Sequence, residues 1–281
     1  MKRIAALCVP LLVALLPGCP PGQGDALRGG PGRMPGTDAA STGNQLHVRF
    51  VFLRIVTFEV PAGAASASEQ IWSYLDEESI GVQQGVSLAR NGIRMGIGRE
   101  KDWPDLARIL KQMTGRRVRQ TTVTALPGVP VPLELKRKQP VQTIFTFYED
   151  LTLSGADYPA GDNLLTIACT LHEDDPTIVR LTGLPQIRST YRKPTVLNRP
   201  GEPMIVERPV IYDLPSLMFQ VTVASRDFLV IGPNSQSQRR CSAGRSFLVT
   251  QKDGVPFETV QLLVPEVFET STKAAPDEVK P

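Results

Sequence analysis

His47 and His172 are the only two histidines in a chain of 281 residues, and that number bounds the chemistry open to it. Sites built on two or three imidazoles are almost excluded. Any Ser/His/Asp or Cys/His nucleophile would have to use one of these two residues. His47 begins a strand-like run and His172 lies in the acidic turn His172-Glu173-Asp174-Asp175, so both read as solvated or strand-end side chains. The acidic turn has the oxygen chemistry for Ca²⁺ but lacks an EF-hand spacing, and a polar turn accounts for it. Gly92, Gly96 and Gly98 precede a helix and invite a phosphate-loop reading. Neither GxxxxGK[ST] nor GxGxxG is present, however, and Lys101-Asp102 places an acid where a phosphate would sit. Trp72, Tyr74 and Trp103 have the chemistry of a sugar-stacking platform, but Trp72 stands at core spacing with Leu75. No pair of carboxylates is spaced for glycoside hydrolysis. No catalytic residue, metal ligand or cofactor is therefore assigned, and the chain is expected not to be an enzyme.

The remaining reactive residue type is cysteine, at positions 8, 19, 169 and 241. Met1 to Gly18 carries Lys2 and Arg3, then an apolar stretch from Ile4 to Leu16 that is too short for an ordinary membrane span. This is the pattern of a secretory signal peptide. Leu16-Pro17-Gly18-Cys19 then resembles the lipobox of bacterial lipoproteins, with Pro17 in place of the usual small or β-branched residue. The resemblance implies that Cys19 is acylated and becomes the first mature residue. Pro20, where some inner-membrane lipoproteins carry aspartate, points to an anchor in outer-membrane lipid with the protein on the periplasmic face. Residues 20–44 are rich in glycine and proline, with almost nothing large to bury, and should form a disordered tether with a reach on the order of 25 to 30 Å. Residues 270–281 read as a disordered tail. Cys169, in the alternating run Leu165-Ile167-Cys169-Leu171, and Cys241, after Arg239-Arg240, are expected to be free thiols, the first structural and the second the more reactive.

The folded region between these ends carries a formal charge close to balance, 31 Lys and Arg against 28 Asp and Glu for the whole chain, which argues against a nucleic-acid partner. Arg116-Arg117, Lys136-Arg137-Lys138 and Arg239-Arg240 could touch lipid head groups, peptidoglycan or an acidic partner, but as short clusters they read as solvated loops. The run from His47 to Val60 is dense in β-branched and aromatic residues and predicts a strand. Ser66 or Ser68 can cap a helix with Ile71, Trp72 and Leu75, and a second helical pattern holds Ile80, Val86 and Leu88 before Asn91-Gly92. Ile93 to Ile97 predicts a strand, Asp102 and Pro104 open a helix with Leu106, Ile109, Leu110 and Met113, and Val118 to Leu126 predicts another strand. After Pro127 the pattern alternates as in half-buried strands, at 141–147, 165–171, 179–181, 217–223, 228–230 and 260–264. Four prolines between 194 and 209 predict a long exposed loop. The expected fold is α+β: a small α/β module over 45–126, followed by an antiparallel, mainly β domain over 127–269.

The second half resembles the β domain of the secretins, the ring-forming outer-membrane proteins of type II and type III secretion and type IV pili. Leu164-Leu165-Thr166-Ile167 leads through Glu173-Asp174-Asp175 to Leu181-Thr182-Gly183-Leu184-Pro185-Gln186-Ile187, a strand pair with an acidic turn and a proline-containing end. Phe228-Leu229-Val230-Ile231-Gly232 is similar to the glycine-terminated apolar strand of that family. Val260-Gln261-Leu262-Leu263-Val264-Pro265-Glu266-Val267 is similar to its proline-closed last strand. Between Ile231 and Thr259, a secretin's glycine- and proline-rich gate segment is replaced by the short polar stretch Pro233 to Arg240. The resemblance implies a structural or assembly component of a secretion or pilus-like apparatus, with protein partners there, a homo-oligomer among them. A second reading of the residues is a periplasmic lipoprotein that binds a peptide, glycan or small molecule.

Overall fold

Strand β1 (Gln45–Pro61) carries apolar side chains on both faces, so it can be satisfied only at the centre of a sheet covered on both sides. The computed structural model, which describes residues 45–114, 118–148, 150–199 and 202–273, places it there. Along β1, Val51, Leu53 and Ile55 enter one core, and Val56, Phe58 and Val60 enter another.

The chain continues through α1 (Glu69–Trp72), α2 (Val82–Arg90), β2 (Ile93–Gly98), α3 (Trp103–Thr114) and β3 (Val118–Ala125). It then runs through β4 (Val131–Gln139), β5 (Gln142–Phe147), β6 (Leu153–Tyr158), β7 (Gly161–Leu171), β8 (Ile178–Arg199), β9 (Glu202–Asp213) and β10 (Phe219–Ala224). The last elements are β11 (Phe228–Pro233), α4 (Ala243–Leu248), β12 (Val249–Lys252) and β13 (Val255–Lys273). The first sheet has the order β2-β11-β13-β1-β3, with β12 paired to β13. The second has the order β10-β8-β7-β4, with β9 paired to β8, and β5 with β6 forms a separate hairpin. All of these strand pairs are antiparallel.

These layers overturn the α+β expectation. The helices are small, the longest of them 12 residues, and no separate α/β module stands at the N-terminal end. β1 pairs along its whole length with β13, from Gln45↔Lys273 to Pro61↔Phe257, and β2 pairs with β11. The fold is mainly antiparallel β. The physical reason lies in β11 and β13: all six residues of Phe228–Pro233 are buried, as is the run Val260 to Val264, so these strands demanded partners on both edges and cover on both faces. One face of the first sheet is covered by Ile71, Trp72, Leu106, Ile109 and Leu110 from α1 and α3. The other packs on Ile167, Cys169, Leu181, Ile187 and Val221 of the second sheet, with Phe247 and Leu248 of α4.

Two polar groups are locked inside. The carboxylate of Glu258, fully buried, accepts hydrogen bonds from the backbone N–H groups of Gly63 (2.8 Å), Ala65 (3.0 Å) and Ser66 (2.9 Å), fastening the loop after β1 to β13. Asn91, 1% exposed, donates to the carbonyls of Ser87 and Phe147 and accepts from the N–H of Phe147. It thereby ties the end of α2 to the end of β5.

Candidate functional site

The residues singled out for chemistry fall into structural roles. His172 Nδ1 accepts from the N–H of Asp174, and the carboxylate of Asp175 accepts from the Thr177 N–H and hydroxyl, which hold it below the usual carboxylate range. This is a self-satisfied turn between β7 and β8. His47 lies on β1 opposite Ser271. Among the described residues, no group of three His, Cys, Asp or Glu side chains could hold a metal ion. Gly92 has φ +86° and a Cβ there would sit 3.0 Å from the Ser237 nitrogen. At Gly98 a Cβ would run into the ring of Phe228. The glycines thus serve a turn and close packing rather than an anion.

Trp72 is buried, donates from Nε1 to the Ala65 carbonyl and lies under the guanidinium of Arg94, so it is not an exposed platform. Lys136 is buried and donates to the carbonyl of Arg245 at 2.7 Å, while Arg137 pairs with Glu134. Cys169 is a buried free thiol that burial pushes up to about 11; Cys241 is a half-buried free thiol. Cys19, Arg116 and Arg117 lie outside the described residues, as do the signal peptide, the tether and the end of the tail. Among the described residues no helix is long and apolar enough to cross a membrane.

Two features that the sequence reading missed stand out instead. The first is a pair of clefts beside α2. This helix has no side-chain cap at its N-terminus, where Gly81 has φ +82°, and it buries only Ser87 and Leu88. Val82 and Val86 are exposed. On one side, a cleft of about 480 Å³ runs between Ala89 and Arg90 of α2, Phe147, and the turn Asn234 to Arg239. On the other, a cleft of about 640 Å³ is walled by Leu88, Tyr148, Pro215 and Met218, with Gln84 and Ser87 on the helix side and Asp150 and Thr152 at the hairpin turn. The hydroxyl of Ser87 and the amide nitrogen of Gln84 are buried within the protein without a hydrogen-bond partner.

The second feature is an arm. β7 accompanies β8 only as far as Gly161↔Ser189, and beyond a register shift between Arg188 and Arg192 the β8–β9 ladder stands alone, from Arg192↔Pro209 to Arg199↔Glu202. Its base is fixed by Arg188, whose guanidinium binds Glu134 (2.9 Å) and Asp162 (2.8 Å), and by Gln186 donating to Asp213 (2.7 Å). The Lys138 N–H and then Arg188 hold the Asp162 carboxyl below its ordinary range. Along the arm Val196 and Ile205 lie directly opposite each other and are 58% and 71% exposed.

The three prolines of the paired arm follow one rule. Pro194↔Glu207, Asn198↔Pro203 and Arg192↔Pro209 are all pairs of the same parity. A proline cannot donate to the ladder, so these are the pairs whose N–H positions point outward, and each proline removes a donor from a free edge. The arm is blunted against strand addition at its edges and open on its face.

No protein-family model matches the sequence, and neither does any curated protein. Among solved structures, the chain is similar to a chain of the pilotin–secretin AspS–GspD complex of ETEC, at 10% identity and a TM-score of 0.18, over 82% of this chain and 50% of that one. It is also similar to the InvG secretin domain β-barrel of the Salmonella SPI-1 injectisome base, at 9% identity and a TM-score of 0.15, over 83% of this chain and 66% of that one. Both neighbours are secretin-related, the likeness is weak, and the chain spans about half of the first and two thirds of the second.

Proposed function

We propose that the chain is a lipid-anchored, non-enzymatic envelope protein, held to the outer membrane through Cys19 and serving as a structural or assembly part of a secretion or pilus-like apparatus. The observation that carries this reading is the β8–β9 arm. A rigidly based, free-standing hairpin that presents Val196 and Ile205 to solvent is an element built to be covered by another protein surface. Its proline-blunted edges make the contact one of faces, so the association is a defined docking and not open-ended strand addition. The leader and the Leu16-Pro17-Gly18-Cys19 pattern support the anchor, and the layout from Leu164 to Ile187 supports the apparatus.

The test is the native mass of the detergent-extracted full-length protein and of its Val196→Ser/Ile205→Ser double variant. The expected result is a large symmetric or heteromeric assembly for the wild type that the double variant loses while its melting temperature stays within about 2 °C. A wild-type monomer that co-purifies with no envelope protein sinks the reading. Acylation is read separately, by mass spectrometry of the mature N-terminus and by the membrane partition of Cys19→Ser.

A further inference from the structure

Residues paired across a ladder share a face, and successive rungs alternate between faces, so the register of the arm sorts its side chains into two sets. Pro194↔Glu207 and Val196↔Ile205 make one face. The reverse face carries Lys193↔Arg208, Thr195↔Val206 and Leu197↔Met204. Lys193 and Arg208 are like charges directly opposite each other, an arrangement that weakens a strand pair. Both are exposed, and among the described residues neither has an ion pair. Towards the tip the same face turns apolar, with Met204 41% exposed and Leu197 and Val206 half-buried. The cation rung and the Leu197↔Met204 rung are four residues, or about 13 Å, apart along the strand.

A cation pair held together against its own repulsion calls for anionic groups from outside the chain, and the aliphatic side chains on the same face call for an apolar layer beside them. A bilayer supplies both at the depths these side chains reach. Aliphatic groups enter the acyl boundary, while the longer lysine and arginine stems carry their charges back to the phosphates. The anchor proposed at Cys19, on a tether that reaches on the order of 25 to 30 Å, keeps a bilayer close, and in that respect the inference rests on the anchored reading. We propose that the reverse face of the arm docks on an anionic phospholipid surface, with Leu197, Met204 and Val206 at the acyl boundary and Lys193 and Arg208 on the phosphates. The face that presents Val196 and Ile205 stays open to the protein partner.

The experiment places an indole on either face of the arm, in Met204→Trp or Ile205→Trp of the full-length protein, and mixes each with vesicles that carry acyl-brominated lipid as quencher. The vesicles are phosphatidylcholine alone or phosphatidylcholine with an equal share of phosphatidylglycerol, and the wild-type emission is subtracted. On the anionic vesicles the indole of Met204→Trp should be quenched at least about twofold more than that of Ile205→Trp, since only the reverse face reaches the acyl boundary. The excess should vanish on neutral vesicles, and also in Lys193→Gln/Arg208→Gln, whose melting temperature should stay within about 2 °C of the parent. Equal quenching of the two indoles on anionic vesicles overturns the proposal, as does an excess that survives on neutral vesicles or in the charge-removed variant. Soluble polyglutamate that shifts the Met204→Trp emission where vesicles leave it unchanged would make the face a site for an acidic protein, and also overturns it. Co-sedimentation with the neutral vesicles reads the anchor separately. Protein that sediments with both vesicle types but shows no excess refutes the arm contact and keeps the anchor. Protein that stays in solution with neutral vesicles yet shows the excess on anionic ones refutes the anchor and keeps the arm contact.

Discussion

The hydroxyl of Ser66 donates to the carboxylate of Glu258 at 2.6 Å across 192 positions of sequence. With the three backbone N–H groups gathered on the same carboxylate, it makes one side chain of β13 responsible for the path of the chain after β1. Glu258→Ala would leave those donors buried and unmet. The expected loss is about 3 kcal/mol or more in urea unfolding, against a smaller loss for Glu258→Gln, which keeps one acceptor oxygen in place.

Lys136 is expected to make stability depend on pH. Burial, with the nearby Arg245 charge second, pushes its ammonium down to about 7 from the ordinary 10.5. Above pH 10.5 the group is neutral in both folded and unfolded chains and exerts no pull. Between 10.5 and 7 the unfolded chain holds a proton that the folded chain does not, so stability falls steadily as pH is lowered, and below 7 the loss is complete and constant. Lys136→Met should therefore stabilise the protein at pH 7 by about 2 kcal/mol and flatten the rise of melting temperature toward alkaline pH. A variant that melts below the wild type at pH 7 would contradict this.

The arm's prolines are expected to act against aggregation. Replacing Pro194, Pro203 and Pro209 together by threonine returns three outward N–H groups to strands already favoured by sequence. The triple variant should fold and then form thioflavin-positive or laddering species, read by light scattering over hours at concentrations where the wild type stays clear. Substitution of proline by threonine at Pro21, Pro31 and Pro35 in the glycine-rich segment should have no such effect.

These prolines also show why part of the fold was legible in the sequence and part was not. Period-two alternation placed β5, β7, β10, β11 and β13, and helical spacing placed Leu106, Ile109 and Leu110 on one buried face of α3. The stretch 194–209 reads as a loop because proline is rare in strands, yet Pro194, Pro203 and Pro209 each take the backbone position where a missing donor goes unnoticed. The grouping of elements failed for a different reason. The pairing of β1 with β13 is a contact between sequence-distant residues, and local periodicity carries no information on which strand lies beside which. The run from His47 to Val60 signals a strand, but neither its central place in the sheet nor its neighbour. On α2, Ser87 and Gln84 had no signal at all, since a missing partner is a property of the packed structure.

The two thiols should part cleanly. Cys169 is buried and carries almost no thiolate at neutral pH, while Cys241 is half-buried in the turn before α4. Iodoacetamide at pH 8 followed by peptide mapping should modify Cys241 in the native protein and Cys169 only after unfolding, in identical patterns with and without reductant. Release of Cys241 by reductant alone would reveal a bridge that this fold does not contain.

Because Gln45 and Lys273 are rung partners at one end of the β1–β13 ladder, the protein has mechanical directions of unequal strength. A pull that enters at Gln45 and is resisted at Lys273 opens the ribbon one rung at a time and meets little resistance. A pull that enters at Gln45 and is resisted at the far end of the same sheet runs along β1 and loads all of its rungs at once, on both the β13 and the β3 side. A chain held at Gln45 and gripped at the far end of the first sheet would therefore be loaded in shear, the geometry in which a β-sheet holds longest.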